Sequence, residues 1–233
     1  MSNMQCKIYA RTWILSRSII CCLWAWCSFI SINMAFVHLI FSFVKRLVQL
    51  DVDSTFIQQE AIELLAAKAG VLKAVSQITD AAMRGELDFA QSLVARVQLL
   101  AGLPESVIAE VRSEITLTIG AAELVSLLHE KGHCVALVSG GFTNILQPIV
   151  DDMKIDFFRA NTLEVVDGVL TGRVIGDIVD RAGKATALRE FAQACHVQLT
   201  ETVAIGDGAN DLDMMAIAGL SIAFNAKPVV AAA

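Results

Sequence analysis

A chain of 233 residues, 55% of them hydrophobic, has room for one α/β core with a cap, or one domain with extensions. Its formal charge of −6 divides unevenly: residues 1–50 carry five Lys or Arg and no Asp or Glu, while the remainder carries 13 basic against 24 acidic residues. So acidic a body excludes nucleic acid as the expected partner, and low-complexity segments and internal repeats are absent.

The amino-terminal segment stands apart. From Ser18 to Val44 there are 27 residues without Asp, Glu, Lys or Arg, longer than the ~20 apolar residues that span a bilayer. Lys7, Arg11 and Arg17 precede it and Lys45 and Arg46 follow, a balance that does not set an orientation. Residues 1–44 also hold all three Trp and four of the six Cys. Two readings stay open: a transmembrane anchor over residues 18–44, or a chain start foreign to the functional body. Against the anchor, the first core strand begins near Arg46, with no linker between lipid and sheet.

Leu47-Val48-Gln49-Leu50 reads as a short strand, and Asp51-Val52-Asp53-Ser54-Thr55 follows it directly. Open α/β sheets carry their chemistry at the carboxyl ends of strands, and residues two apart on a strand share a face. Asp51 and Asp53 therefore aim at one small volume, where one carboxylate can attack while the other moves protons. The competing reading is a polar loop that caps the next helix. From Thr55 to Thr118 apolar residues recur at helical spacing, namely Ile57, Ala61, Leu64, Leu65, Val71, Val75, Ile78, Leu93, Val97 and Leu100. The stretch reads as a small helical cap, with Gly102-Leu103-Pro104 as a turn between its helices.

Val135-Ala136-Leu137-Val138 reads as a strand running into Ser139-Gly140-Gly141, a loop whose hydroxyl and N–H groups can hold a phosphate oxygen. Lys184 offers a cation on the first turn of a helix predicted over 184–194. Thr202-Val203-Ala204-Ile205 is a further strand, and it delivers Gly206-Asp207-Gly208-Ala209-Asn210-Asp211. Cys134 and Cys195 fall in strand and helix and read as reduced, buried thiols, because no C-x-x-C is present. His129, His133 and His196 read as surface or loop residues, since none has metal-ligand spacing.

From about Lys45 onward the four stations, D-x-D-S-T at 51–55, Ser139-Gly140-Gly141-Phe142, Lys184 and G-D-G-A-N-D at 206–211, resemble those of the haloacid dehalogenase-like hydrolases, and within them the phosphoserine phosphatases. The resemblance implies an open, mainly parallel Rossmann-like sheet flanked by helices, with the core at 45–58 and 118–233 and the cap at 59–117. It implies Mg²⁺-dependent hydrolysis of O-phospho-L-serine, the last step of serine biosynthesis, by a cytoplasmic catalytic domain acting on this small molecule.

By the same resemblance Asp51 is the nucleophile that forms an aspartyl-phosphate, and Asp53 is the general acid and then base. Related transport ATPases put Lys-Thr after the nucleophile, so Val52-Asp53 favours a phosphatase. Mg²⁺ would be held by Asp51, the Asp53 carbonyl and Asp207, with Asp211 orienting its water. Ser139, Gly140 and Lys184 would bind phosphoryl oxygens, and Asn210 would contact the phosphoryl group or Lys184. In the cap, Glu60 would pair with the substrate ammonium and Arg96 with its carboxylate, shielded by Met83 and Phe89. Set against these roles, Glu60 and Arg96 can be read as solvated helix residues, and Met83 and Phe89 as cap packing. The alternative functions are a phosphatase for another small phosphomonoester, or an inactive, truncated, membrane-associated remnant.

Two departures from the family pattern carry expectations. The family continues past the match to Ala226-Lys227-Pro228 into a helix and a final strand, whereas this sequence stops at Ala233, leaving the sheet edge incomplete. Thr118-Ile119-Gly120 replaces a Pro-Gly turn, which costs that turn a preset φ and little else.

Overall fold

In the computed structural model, which describes residues 7–9, 44–83 and 86–231, seven strands form one sheet: β1 (Lys7–Tyr9), β2 (Leu47–Asp51), β3 (Cys134–Phe142), β4 (Phe157–Val166), β5 (Val169–Ile175), β6 (Thr202–Gly206) and β7 (Leu220–Ala223). Their order is β1-β7-β6-β2-β3-β4-β5. All neighbours are parallel except β1–β7 and the β4–β5 hairpin, so the sheet is open and mainly parallel. Parallel strands require both faces covered, and side-chain alternation shows how that is met. Val48, Leu50, Val135, Leu137, Val203 and Ile205 belong to a core shared with α5 (Ala121–Glu130) and α6 (Thr143–Asp152). Leu47, Ala136, Val138 and Ala204 belong to a second core shared with α7 (Arg181–Cys195) and Met214 of α8 (Leu212–Ile217). Asp51 has the parity of Leu47 and Gln49, and the buried Gln49 amide donates to the Lys184 carbonyl at 3.1 Å. The first carboxylate is thus delivered to the α7 side of the sheet.

Between β2 and α5 lie four helices: α1 (Ala61–Lys68), α2 (Leu72–Met83), α3 (Phe89–Gln98) and α4 (Ser106–Glu114). α3 starts on a reciprocal cap, Asp88 accepting from the Gln91 N–H at 2.7 Å and Gln91 from the Asp88 N–H at 3.1 Å. Ala61, Leu65, Val75, Leu93, Val97 and Leu100 are buried where the periodicity put them. Ile57 is a correction: it is buried in a bridge with Leu117 rather than on a helix, because it ends the turn after β2 and the first cap helix starts only at Ala61. The turn at Gly102-Leu103-Pro104 forms and is tied to the hairpin: the Gly102 N–H donates to the Leu170 carbonyl at 2.9 Å and the Leu170 N–H to the Leu103 carbonyl at 2.8 Å.

Other expectations change in detail. β3 runs on through Ser139–Gly141, with a register shift between Val138 and Phe142, where a loop was predicted. α7 begins at Arg181, ahead of Lys184, because Asp180 caps it by accepting from the Gly183 N–H at 2.7 Å. The turn at Ile119 forms without proline: Gly120 takes φ +87° and Ile119 is left 88% exposed. His133, expected at the surface, is buried, and its Nδ1 accepts the Arg46 N–H at 3.2 Å. At the sheet edge expected to be incomplete, β1 pairs antiparallel with β7, and Pro228–Ala231 forms a short helix, α9. Apart from Val44, the 18–44 segment lies outside the described residues; among the described residues no helix is long and apolar enough to cross a membrane.

Cys134 and Cys195, expected as free thiols, form a disulfide with Cα atoms 6.5 Å apart. It joins the start of β3 to the end of α7, a sequence separation of 61 residues. A loop of that length corresponds to about 4 kcal/mol of denatured-state entropy. Proteolysis without reductant should yield a linked peptide pair containing both cysteines, and reduction should lower the unfolding free energy by about that amount; unlinked peptides would contradict the bond.

Candidate active site

The carboxyl ends of β2, β3 and β6 bring the sequence-selected groups to one end of the sheet. After β2 the chain makes one wide turn, closed by the Ile57 N–H donating to the Val52 carbonyl at 2.9 Å, with Ser54 at φ +59°. Asp53 is held from both sides: its Oδ1 accepts the Ala61 N–H at 2.7 Å and its Oδ2 the Ser139 hydroxyl at 2.8 Å. Ser139 Oγ in turn accepts the Gly141 N–H at 2.7 Å. Ser54 Oγ donates to Glu60 Oε1 at 2.8 Å. The same short loop therefore positions the catalytic candidates and the first cap candidate.

Lys184, 0% exposed, donates to Asp51 and to Asp211, the latter at 2.7 Å. Asp211 Oδ2 also accepts the N–H groups of Asp207 and Gly208 at 3.1 and 3.0 Å. That wrapping explains Gly206: a Cβ there would overlap the Asp211 carboxylate. Lys227 lies 3.3 Å from Asp207 Oδ2, and its N–H donates to the Asp207 carbonyl at 2.9 Å.

Positive charge is short in this cluster. Burial, then the Asp211 charge, push the Asp51 carboxyl well above its ordinary value, with Lys184 opposing. Burial alone would lower Lys184, but Asp211 and Asp51 outweigh it and hold the ammonium above its ordinary range. Burial raises Asp207 as well, against the pull of Lys227. The upward directions at Lys184 and Asp51 describe one imbalance: the ammonium stays charged, and the surplus carboxylates want a further cation. Oxygens of Asp51, Asp207 and Asp211 lie within 4.8 Å of one another, an all-oxygen donor set suited to a hard divalent ion.

A cleft of about 970 Å³ opens over the cluster, lined by Asp51, Asp53, Gly140, Asp207 and Asn210 on the sheet side and by Glu60, Phe89 and Arg96 on the other. Ser139, Lys184 and Asp211 are buried behind that wall. Lys184 gives its hydrogen bonds to Asp51 and Asp211, and Asn210 faces the cleft. Glu60 precedes α1 rather than riding on a helix face, and burial with the nearby Asp53 charge raises its carboxyl to about 7. Burial lowers Arg96, which Glu60 and Asp53 oppose; its Nε donates to the Ser92 carbonyl at 3.2 Å. Neither is an ordinary solvated helix charge. Phe89 lies over Gly140, where an added Cβ would come within 2.7 Å of the ring. The Met83 side chain lies outside the described residues. Sequence reasoning assigned no role to Lys227 and passed over Arg181 and Asn161. Lys227 and Arg181 line the cleft, and Arg181 pairs with Asp213. Lys227 alone had a signal, its place in Ala226-Lys227-Pro228.

A doubly wound sheet with an acid–ammonium cluster at its strand ends, roofed by an insertion after the first central strand, holds its ligand in the crevice at the carboxyl ends of the strands. The haloacid dehalogenase-like hydrolase family model matches residues 48–216, and the chain belongs to that family. It is similar to a phosphoserine phosphatase of Streptomyces coelicolor, 61% identical over 186 residues, covering 80% of this chain and 45% of that protein. With a phosphoserine phosphatase of Streptococcus thermophilus it shares 49% identity over 187 residues, 80% of this chain and 87% of the relative. A solved structure of a phospho-aspartyl intermediate analogue of phosphoserine phosphatase superimposes with a TM-score of 0.76 at 42% identity, over 81% of this chain and 90% of that one. The chain thus spans less than half the length of the Streptomyces relative and most of the Streptococcus one.

Proposed function

We propose that this chain hydrolyses O-phospho-L-serine to L-serine and phosphate in a Mg²⁺-dependent reaction through an aspartyl-phosphate on Asp51, the last step of serine biosynthesis, with residues 59–117 as the substrate-reading cap. The observation that carries the reading is a cleft with an acid pair on one wall, a buried ammonium bonded to that pair's Asp51 behind it, and an opposite-charge pair, Glu60 and Arg96, on the other wall. The similarity to phosphoserine phosphatases supports the same substrate.

Asp51 attacks phosphorus as the P–O bond to serine breaks, and Asp53 supplies the proton that the departing alkoxide needs. Asp53 then takes a proton from water, whose oxygen attacks phosphorus and frees the Asp51 carboxylate. Lys184 keeps Asp51 aligned while charge builds on the phosphoryl oxygens, and Ser139 and Gly140 hold those oxygens. Asp51, Asp207 and the Asp53 carbonyl would hold Mg²⁺, which when bound would supply the positive charge this cluster lacks. Asp211, buried under Lys184 and the Asp207 turn, fixes both. Replacing Asp207 by alanine removes a ligand, so the Mg²⁺ concentration for half-activity should rise at least about tenfold. Superimposable Mg²⁺ titrations would contradict the ligand set.

Specificity provides the decisive test. Glu60→Gln and Arg96→Ala should each cut efficiency on phosphoserine by about 2–4 kcal/mol, and hardly change an aryl phosphate that lacks both the ammonium and the carboxylate. Equal losses on both substrates would refute the amino-acid assignment. The raised Glu60 carboxyl adds a pH signature. With a value of about 7 it is ionised above neutrality and protonated below. The KM for phosphoserine should therefore rise as pH falls from 8 to 6, and this component should vanish in Glu60→Gln.

A further inference from the structure

The structure assigns Asn161 as a positioning residue that sets the phosphoryl-binding peptide of β3, an assignment resting on the reading of Ser139–Gly141 as the phosphoryl cradle. Val138 of β3 stands opposite Arg159 of β4, and Phe142 opposite Asn161. Ser139, Gly140 and Gly141 therefore face only Ala160, and the strand must bulge out of its ladder at that point. A bulge strands backbone groups, and a buried carbonyl without a partner is costly. Asn161, 1% exposed, answers this: its Nδ2 donates to the Gly140 carbonyl at 2.9 Å.

Because the peptide unit is planar and trans, fixing the Gly140 carbonyl on the β4 side turns the Gly141 N–H of the same unit the opposite way. That N–H points to Ser139 Oγ, which in turn donates to Asp53. One buried amide thus sets the direction of the Gly141 N–H and, through it and Ser139, the orientation of the cradle hydroxyl and the proton-transfer carboxylate. Its other end is used as well: Asn161 Oδ1 accepts the Val179 N–H at 2.8 Å. Val179 precedes Asp180, the cap of the helix that delivers Lys184. The side chain therefore ties the hydroxyl–amide cradle to the segment that places the ammonium, without lining the cleft itself.

Asn161→Asp is the discriminating variant. It is nearly isosteric and keeps the acceptor for Val179, but it replaces the donor to Gly140 with a carboxylate oxygen that repels that carbonyl. The probes are orthovanadate, which takes five-coordinate geometry at phosphoryl sites, and L-serine, which reports the cap side, both titrated in the presence of Mg²⁺. Vanadate affinity and kcat on both phosphoserine and an aryl phosphate should fall together by roughly 10- to 100-fold, with L-serine affinity unchanged. Should Asn161→Asp fail to accumulate folded, Asn161→Ser takes its place and the same two affinities decide. Unchanged vanadate affinity in a cooperatively melting variant overturns the inference, as does an equal loss for vanadate and L-serine, which is what a merely structural role would give. If the unsubstituted protein binds no vanadate, the cradle reading fails, and the inference with it.

Discussion

Asp51→Asn should give a protein that folds and melts at or above the temperature of the parent, yet turns over phosphoserine at least about a thousandfold more slowly. The amide cannot attack phosphorus as an anion, so the covalent route is lost. Stability moves the other way because burial and Asp211 disfavour the Asp51 carboxylate, and a neutral group in its place removes that repulsion. Lys184 keeps its bond to Asp211. Thermal melts and single-turnover phosphate release check both halves. A variant that is both active and unstable would mean that Asp51 serves packing rather than chemistry.

The opposite pattern is expected at Lys184. Lys184→Met preserves length and apolar stem but removes the buried ammonium between Asp51 and Asp211. Two buried carboxylates are then left uncompensated, and breaking such a pairing costs about 3–5 kcal/mol. Both stability and activity should collapse. The stability deficit should shrink as pH falls, because protonating one carboxylate relieves the repulsion. Denaturant melts across pH measure it; an unchanged midpoint at neutral pH would show that the pair contributes nothing to the fold.

How much of this was legible in the sequence follows from the range of each interaction. The central strands could be read because burial on both faces demands continuous apolar runs, as in Thr202-Val203-Ala204-Ile205, and the carboxylates could be read because they stand at the ends of those runs. Their partners could not. Nothing in the sequence says that Lys184 reaches both Asp51 and Asp211, or that Asp211 folds back on the N–H groups of Asp207 and Gly208; those contacts depend on the α7–sheet packing. The Cys134–Cys195 bond was misread for the same reason: its halves are 61 residues apart and join a strand start to a helix end, a pairing that only tertiary structure creates. Asn161 carried no local signal, being one of several polar residues in its strand, and its value lies in a bulge on the neighbouring strand. Glu60 was selected by resemblance; its burial comes from the turn that places Ser54 and Asp53 against it.

If one cleft joins phosphoryl-transfer chemistry to recognition of an amino acid, the products of hydrolysis report it. Incubating the purified chain with Mg²⁺ and a panel of phosphate monoesters, and measuring phosphate and free serine together, tests it most directly. Equimolar serine and phosphate are expected from O-phospho-L-serine, at an efficiency well above every ester lacking either the ammonium or the carboxylate. Preferential hydrolysis of an ester without those groups, with phosphoserine left intact, would contradict it.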